Sequence, residues 1–185
     1  MWPNAARIAH GGCKARHPLD DAIRHNTWAT VRLIDICAAL TPEQLATEVP
    51  GTYGSIHRTL HHLVDSDTWY LSFFRDEVVV QMDDVLAELS DLRATIEANG
   101  ALWLEVLADR PDPDGQIEDV TGDTRYLAPV GVRLAQVVQH GTDHRSQVST
   151  ALTLLGVEPP DIAVWAYGDA TGRSYEEKVE AAPVE

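Results

Sequence analysis

Four long stretches of this chain carry apolar residues at the spacing of an α-helix, and this periodicity constrains the fold more than any other feature of the sequence. The spacing predicts helices over residues 20–41, 55–74, 83–108 and 130–155. Proline- and glycine-rich segments interrupt the periodicity between them, as expected where helices end. Four amphipathic helices with short and medium connections predict an all-α fold, an antiparallel four-helix bundle.

The length of 185 residues suits one domain with a well-buried core. We expect an irregular N-terminal arm over residues 1–18, the bundle over 19–168 and a mobile acidic tail over 169–185. After the first helix, "TPEQ" carries the capping-box pattern of a short connecting helix. The long loop around Gly122 predicts a turn or a short hairpin.

The formal net charge of -15 excludes two classes of partner. Nucleic acid and anionic membrane surfaces are themselves negative and would be repelled. No run approaches the roughly 18 consecutive apolar residues of a membrane span, and the first residues lack the apolar middle region of a signal peptide. The two cysteines are placed as expected for a reducing compartment rather than for a disulfide framework. We therefore expect a cytoplasmic protein that acts on a small molecule.

Two histidines four residues apart, His140 and His144, lie in the "QHGTDHRSQ" run of the fourth helix. Residues at this spacing stand one turn above each other, so two imidazoles can reach one metal ion. On a helical wheel both lie on one flank of the apolar stripe, whereas Asp143 points away from them. The same spacing also arises in helices that bind no metal, so the pair alone leaves both interpretations open.

The second long helix offers three more histidines, in "IHRTLHHL". His57 and His61 fall with charged residues away from the apolar stripe, and we expect both to be solvated. His62 lies on the other flank beside aromatic residues and therefore points into protein. A buried imidazole needs a partner for its ring nitrogens, which is either a metal shared with the fourth-helix pair or a hydrogen bond to an aspartate or a carbonyl. Of the remaining histidines, only His25 on the first helix is kept in reserve.

Three blocks of the sequence resemble the signature blocks of the DinB/YfiT-like superfamily, in the same order: "NTWATVRLIDICAALTPEQL", "VPGTYGSIHRTLHHLVDSDTWYL" and "VVQHGTDHRSQVSTALTLLG". The resemblance covers roughly residues 20–168. It implies a four-helix bundle with up-down-down-up connectivity, often dimeric, that holds one divalent metal ion. Carried over to this chain, the implied ligands are His62, His140 and His144. The family's Leu-x-His-Ile/Leu pattern selects His62 over His61 in "LHHL".

Three imidazoles leave coordination positions open, and such a ligand set suits Zn or Ni, with Fe(II) or Cu as alternatives. An ion with open positions can lower the pKa of a bound water or thiol and so present hydroxide or thiolate near neutral pH. The resemblance implies metal-dependent transferases or isomerases that use a low-molecular-weight bacterial thiol, along with a few hydrolases. Our leading hypothesis is a transferase that activates a mycothiol- or bacillithiol-like thiol for attack on an electrophilic substrate.

The substrate pocket is expected between the helices beside the ion, lined by Asn26, Thr30 and Trp69. Arginine outnumbers lysine twelve to two, a bias typical of high-GC genomes, and bacteria with such genomes include producers of mycothiol. Two rival functions remain: a non-catalytic metal-binding bundle, stress-responsive or dimerising, and a metal-dependent hydrolase. An accessible coordination position favours an enzyme over a structural bundle. No motif places a general acid or base.

Overall fold

The computed structural model describes residues 16–78 and 86–177. Within these ranges the four long helices form a four-helix bundle, which confirms the all-α fold. None of the described helices is both long and apolar enough to cross a membrane. The elements are α1 (Asp20–Cys37), α2 (Pro42–Leu45), α3 (Ile56–Ser72), α4 (Leu89–Ala108), β1 (Gln116–Thr121), β2 (Thr124–Pro129), α5 (Val130–Leu154) and α6 (Val164–Ala170).

Local sequence explains where several helices begin and end. At α2, Thr41 accepts the backbone N–H of Gln44 and the Gln44 side chain accepts the N–H of Thr41, so the capping box is confirmed. The Ser55 hydroxyl accepts the N–H of Arg58 at 3.2 Å and caps α3. After α5, Gly156 adopts a φ of +73°, a left-handed conformation that favours glycine and ends the helix.

Side-chain contacts between helices give their directions. α1 runs antiparallel to α4, α4 runs parallel to α3, and α3 runs antiparallel to α5. The connectivity is therefore up-down-down-up, as the family resemblance implies. The prediction of an antiparallel bundle is wrong for α3 and α4, which run parallel. The contacts that fix these directions are Asp35–Arg93 and Thr27–Gly100 for the first pair, Asp67–Asn99 and Arg75–Glu105 for the second, and His62–His140 and Phe73–Arg133 for the third.

The bundle core consists of two apolar clusters with a polar layer between them. One cluster is built around Leu33, Leu60 and Leu152, and the other around Trp103 and Leu134. At the level between the clusters, each of the four long helices contributes buried polar residues. We call these residues the polar layer: Asn26, Thr30, Asp67, Asn99 and Arg145.

The loop between α4 and α5 folds into a two-stranded antiparallel hairpin. Its register runs from Gln116 opposite Pro129 to Thr121 opposite Thr124. Gly122 occupies the turn with a φ of +62°, which favours glycine. The short hairpin predicted around Gly122 is thus confirmed.

The start of α4 differs from the predicted one. The helix begins at Leu89 rather than near residue 83. Glu88 adopts an extended backbone, with φ -64° and ψ 149°, so the helix does not continue back through it. Residues 86–88 are not helical, and residues 83–85 lie outside the described ranges.

The helix α6 is absent from the prediction, because seven residues are too short to show a helical periodicity. It packs on α1 through Tyr167, whose ring lies 5.9 Å from that of His25 and 5.7 Å from that of Trp28. The expected bundle boundary at residue 168 falls inside α6. Beyond it, Arg173 pairs with Asp21, so this part of the tail region contacts the bundle.

Candidate metal centre

Antiparallel packing of α3 and α5 brings the three predicted histidines together. His62 comes from α3, and His140 and His144 come from successive turns of α5. Their ligand atoms lie within 4.8 Å of one another, and the Nε2 atoms of His62 and His140 are 3.2 Å apart. Nitrogens bound to one ion at about 2.0–2.1 Å are separated by about 3.3 Å in tetrahedral geometry, so His62 and His140 already have the spacing of two ligands of one ion. We call this group the histidine triad.

The triad is suited to bind a cation because two of its imidazoles, those of His62 and His140, favour the neutral form. Burial first, and then the neighbouring charge of His144, lower the pKa of His62 to about 4. Burial and, as smaller causes, the charges of His144 and His62 likewise lower the pKa of His140 to about 4. At neutral pH both rings are therefore uncharged, and each has one ring nitrogen with a free lone pair that an ion can share.

Hydrogen bonds outside the triad orient two of its rings. Nδ1 of His144 lies 3.1 Å from Oε1 of Gln147, which leaves its Nε2 for an ion. The same Gln147 oxygen accepts the backbone N–H of Tyr53 at 2.9 Å. Ser66 Oγ lies 3.5 Å from Nδ1 of His62, at the outer limit of a hydrogen bond.

Two tyrosines form walls around the triad. The Tyr53 ring stacks on His62 with 3.7 Å between centroids and 11° between planes, although Tyr53 itself is 47% exposed. Tyr70 packs edge-on against His140 at 5.6 Å, and its hydroxyl accepts the Nε2–H of Gln136 at 3.2 Å. His62 and His140 are half-buried, so the triad lies between a covered interior and solvent.

The neighbouring histidines of α3 have other partners. His61 pairs with Asp65 at 3.0 Å, and its side chain is only 12% exposed. Nε2 of His57 lies 2.8 Å from the carbonyl oxygen of Ala87, just before α4. The expectation of a solvated side chain is therefore wrong for His61, which is largely covered, whereas His57 is half-buried. His25, the reserve candidate, lies 2.7 Å from the Ile162 carbonyl oxygen and is not part of the triad.

The residues expected to line the pocket occupy two different environments. Asn26 and Thr30 are buried in the polar layer, where both bond Arg145, and neither reaches an open surface. Trp69 is half-buried and packs against Tyr70, with 5.1 Å between ring centroids. Of the three, Trp69 is thus the one placed beside the walls of the triad.

The polar layer lies directly behind the triad, since Arg145 follows His144 in α5. One carboxylate oxygen of Asp67 accepts from Asn99 at 3.1 Å and from Trp103 at 3.2 Å, and the other from Asn26 at 3.4 Å. Burial raises the pKa of Asp67 to about 6 against the opposing effect of these donors. Burial lowers the pKa of Arg145 to about 10, partly offset by Asp67. The layer therefore holds the buried carboxyl group of Asp67 and the buried guanidinium of Arg145, and Asn26 forms hydrogen bonds with both.

A comparison with models of protein families identifies the family of this chain. A family model for the DinB family matches residues 16–179. The chain belongs to the DinB family. Comparison with curated proteins finds no match.

Two solved structures share the fold of this DinB-family protein. A DinB-like protein from Bacillus cereus has a TM-score of 0.58 at 18% identity, over 76% of this chain and 92% of the other. YfiT from Bacillus subtilis, described as "a probable metal-dependent hydrolase with an unusual four-helix bundle topology", has a TM-score of 0.58 at 17% identity, over 82% of this chain and 95% of the other. At these identities the likeness shows the fold alone.

Sequence reasoning missed several residues of this DinB-family site. The spacing of Gln147 could have predicted its role, because it lies three residues after His144 and so on the adjoining turn of the same helix face. The indication for Tyr70 was weaker, since it was only an aromatic residue on α3. Nothing in the sequence indicated Tyr53, because it lies in the loop before α3 and only the tertiary fold brings it onto His62.

Proposed function

We propose that this DinB-family protein is a metal-dependent enzyme that activates a low-molecular-weight thiol for attack on an electrophilic substrate. His62, His140 and His144 would hold one divalent ion, Zn or Ni by preference and Fe(II) as the alternative. One observation carries the proposal. Among the described residues, the cluster of potential ligands consists of three imidazoles with no carboxylate or cysteine.

A neutral ligand set favours an anionic fourth ligand. Imidazoles do not offset the charge of the ion, so its attraction for an anion stays high. When bound, such an ion supplies Lewis-acid chemistry that lowers the pKa of a thiol or water in an open position. The ordinary pKa of a thiol is near 8.5. Binding to the ion would therefore be enough to ionise the thiol near neutral pH, and no separate general base would be required.

Residues around the triad would orient a metal ligand and contact the substrate. Gln147 holds His144 in one orientation, and Tyr53 covers the outer face of His62. The Tyr70 hydroxyl accepts from Gln136 and so keeps its own proton for a hydrogen bond with a bound substrate. Trp69 and Tyr70 together offer an apolar wall for the carbon skeleton of that substrate.

A metal-dependent hydrolase is the second candidate. The description of YfiT, a protein of the same fold, favours it. Hydrolysis by an activated water gains from a general base beside the metal, and among the described residues no carboxylate joins the triad. The third possibility, a bundle in which the ion is purely structural, fits a closed site better than one with two half-buried ligands.

The test uses the full chain loaded with Co²⁺, because a sulfur ligand to this ion gives an intense near-ultraviolet absorption. Mycothiol and bacillithiol are the probes, with mercaptoethanol as a generic thiol and His140→Ala as the control that lacks a ligand. We expect the absorption in the unmodified protein only. A chloronitrobenzene electrophile should then be consumed only when thiol and metal are both present.

Other outcomes would assign the rival functions. Metal-dependent cleavage of a nitrophenyl ester without thiol would support the hydrolase and contradict thiol transfer. Stable metal binding with neither the thiol absorption nor any turnover would point to the non-catalytic bundle.

A further inference from the structure

A buried arginine on α5 lacks the partners that a buried cation requires. Arg133 is only 5% exposed. Its Nε and Nη2 atoms have no hydrogen-bond partner among the described residues. Buried polar groups are nearly always satisfied, and an unpaired buried charge is strongly unfavourable. The guanidinium therefore has two N–H donors free to bind an anion, and no described residue supplies that anion.

Aromatic rings lie beside this guanidinium. The Arg133 Cζ lies 4.0 Å from the centroid of the Phe73 ring and 6.0 Å from that of Tyr126. A guanidinium over an aromatic face is stabilised by the ring and keeps its N–H groups for other partners. This arrangement suits a planar carboxylate, which can accept two parallel N–H donors from one guanidinium.

Arg133 lies on the same face of α5 as the triad. It precedes His140 by seven residues, which is almost two full turns and about 10 Å along the helix axis. Aromatic contacts connect the two positions along the seam between α3 and α5. Ring centroids are 5.6 Å apart for His140 and Tyr70, 5.1 Å for Tyr70 and Trp69, and 4.9 Å for Trp69 and Phe73.

We infer that Arg133 binds the carboxylate of a small molecule whose reacting end lies at the histidine triad. This inference rests on the proposed function and adds a substrate class to it: an acidic compound with an apolar segment that follows the aromatic seam. The carboxylate can belong to the thiol or to the electrophile. A charged anchor at one end and the metal site at the other would fix the orientation of the substrate.

Matched probes of one length test the inference. The acid is ω-mercapto-octanoate, which spans the estimated separation when extended, and its uncharged counterpart is ω-mercapto-octanol. Thiol binding to the full chain loaded with Co²⁺ is followed by absorption. The variants are Arg133→Gln, and Arg125→Gln as the control, because Arg125 is an exposed hairpin arginine paired with Glu118.

We expect the unmodified protein and Arg125→Gln to bind the acid roughly ten- to a hundredfold more tightly than the alcohol, as for a hydrogen-bonded charge pair. Arg133→Gln should bind the two probes equally. Mercaptoacetate, which is too short to reach Arg133, should give no difference among the three proteins. An unchanged preference for the acid in Arg133→Gln, or no preference in the unmodified protein, would overturn the inference.

A second readout separates this inference from thiol activation. In the Zn-loaded protein labelled with ¹⁵N-arginine, octanoate should shift the Nε–Hε resonance that disappears in Arg133→Gln, whereas octanol should not. That shift without any thiol absorption would mean that the site binds an acidic substrate and that the thiol proposal is wrong. Thiol absorption with no shift by octanoate, and no preference for the acidic thiol, would leave thiol activation standing and remove the role of Arg133.

Discussion

Oε1 of Gln147 lies 3.1 Å from Nδ1 of His144, one turn earlier on the same helix. Because the same oxygen accepts the backbone N–H of Tyr53, Gln147 links the loop before α3 to a candidate metal ligand of α5. A proton on Nδ1 directed at Gln147 leaves the lone pair of His144 on Nε2, toward the other two histidines. Gln147 thus sets both the tautomer and the orientation of this ring.

Removing the Gln147 side chain should weaken metal binding without abolishing it. Loss of a hydrogen bond that orients a metal-bound histidine costs about 10- to 100-fold in affinity. We expect Gln147→Ala to raise the Zn dissociation constant by that factor in competition with a chromophoric chelator. The control is Gln139→Ala, an exposed glutamine of α5 bonded to Asp143. Equal affinities for the two variants would contradict the orienting role.

The metal-free protein should lose stability as the pH falls from about 6.5 to about 4. In this window the unfolded histidines, with an ordinary pKa of 6.5, bind protons, whereas His62 and His140 with a pKa of about 4 stay neutral when folded. The unfolded state then binds more protons, so the free energy of unfolding decreases with falling pH. Asp67 has the opposite effect, since its folded pKa of about 6 lies above the ordinary 3.8.

The histidine contribution can be isolated by difference. We expect the double variant His62→Gln/His140→Gln to show a smaller loss of stability over the same pH range, measured by urea unfolding in the presence of a chelator. The Asp67 contribution is common to both proteins and cancels. An identical pH dependence would show that the two imidazoles titrate alike in the folded and unfolded states.

Gly141 should not tolerate a side chain. A Cβ at this position would lie 2.1 Å from Oδ1 of Asn26 and 2.7 Å from Nη1 of Arg145. Both atoms belong to the polar layer and are held by hydrogen bonds, so neither can move freely. We predict that Gly141→Ala lowers the free energy of unfolding by about 1–3 kcal/mol, despite the higher helix propensity of alanine. Urea unfolding should show almost no change for Ser146→Ala on the exposed side of α5.

Asp67 should be essential to the polar layer. Its removal would leave Arg145 buried without a compensating charge, and breaking a buried ionic interaction costs about 3–5 kcal/mol. We expect Asp67→Ala to be destabilised by this amount in urea unfolding at neutral pH. Asp35→Ala, which breaks the exposed pair with Arg93, should cause a much smaller change. Similar losses for both variants would show that the buried layer contributes no more than a surface pair.

The parts of the fold that follow from local spacing could be predicted from sequence. The apolar stripes, the capping box at Thr41 and the turn at Gly122 depend on residues close together in the chain. The same holds for the histidines, because helix geometry alone places His140 above His144 and turns His62 away from His61. The structure brings together the three histidines that the family resemblance implies as ligands.

Features that depend on distant contacts could not be predicted in this way. Asn26 and Thr30 point inward on the helical wheel, but only the packing of α5 shows that Arg145 occupies the space in front of them. Gly100 looks like a weak point in a helix, yet a Cβ there would lie 2.4 Å from Oγ1 of Thr27. The glycine permits close approach of α1 and α4, which no spacing within one helix reveals.

Metal content is the measurement that tests the histidine triad most directly. We would determine it by elemental mass spectrometry on untagged protein after incubation with Zn or Ni, for the unmodified chain, His62→Ala and the adjacent control His61→Ala. The account predicts about one ion per chain in the unmodified protein and in His61→Ala, and almost none in His62→Ala, with circular dichroism showing all three folded. Absence of metal from the unmodified protein, or its loss from His61→Ala but not from His62→Ala, would contradict the account.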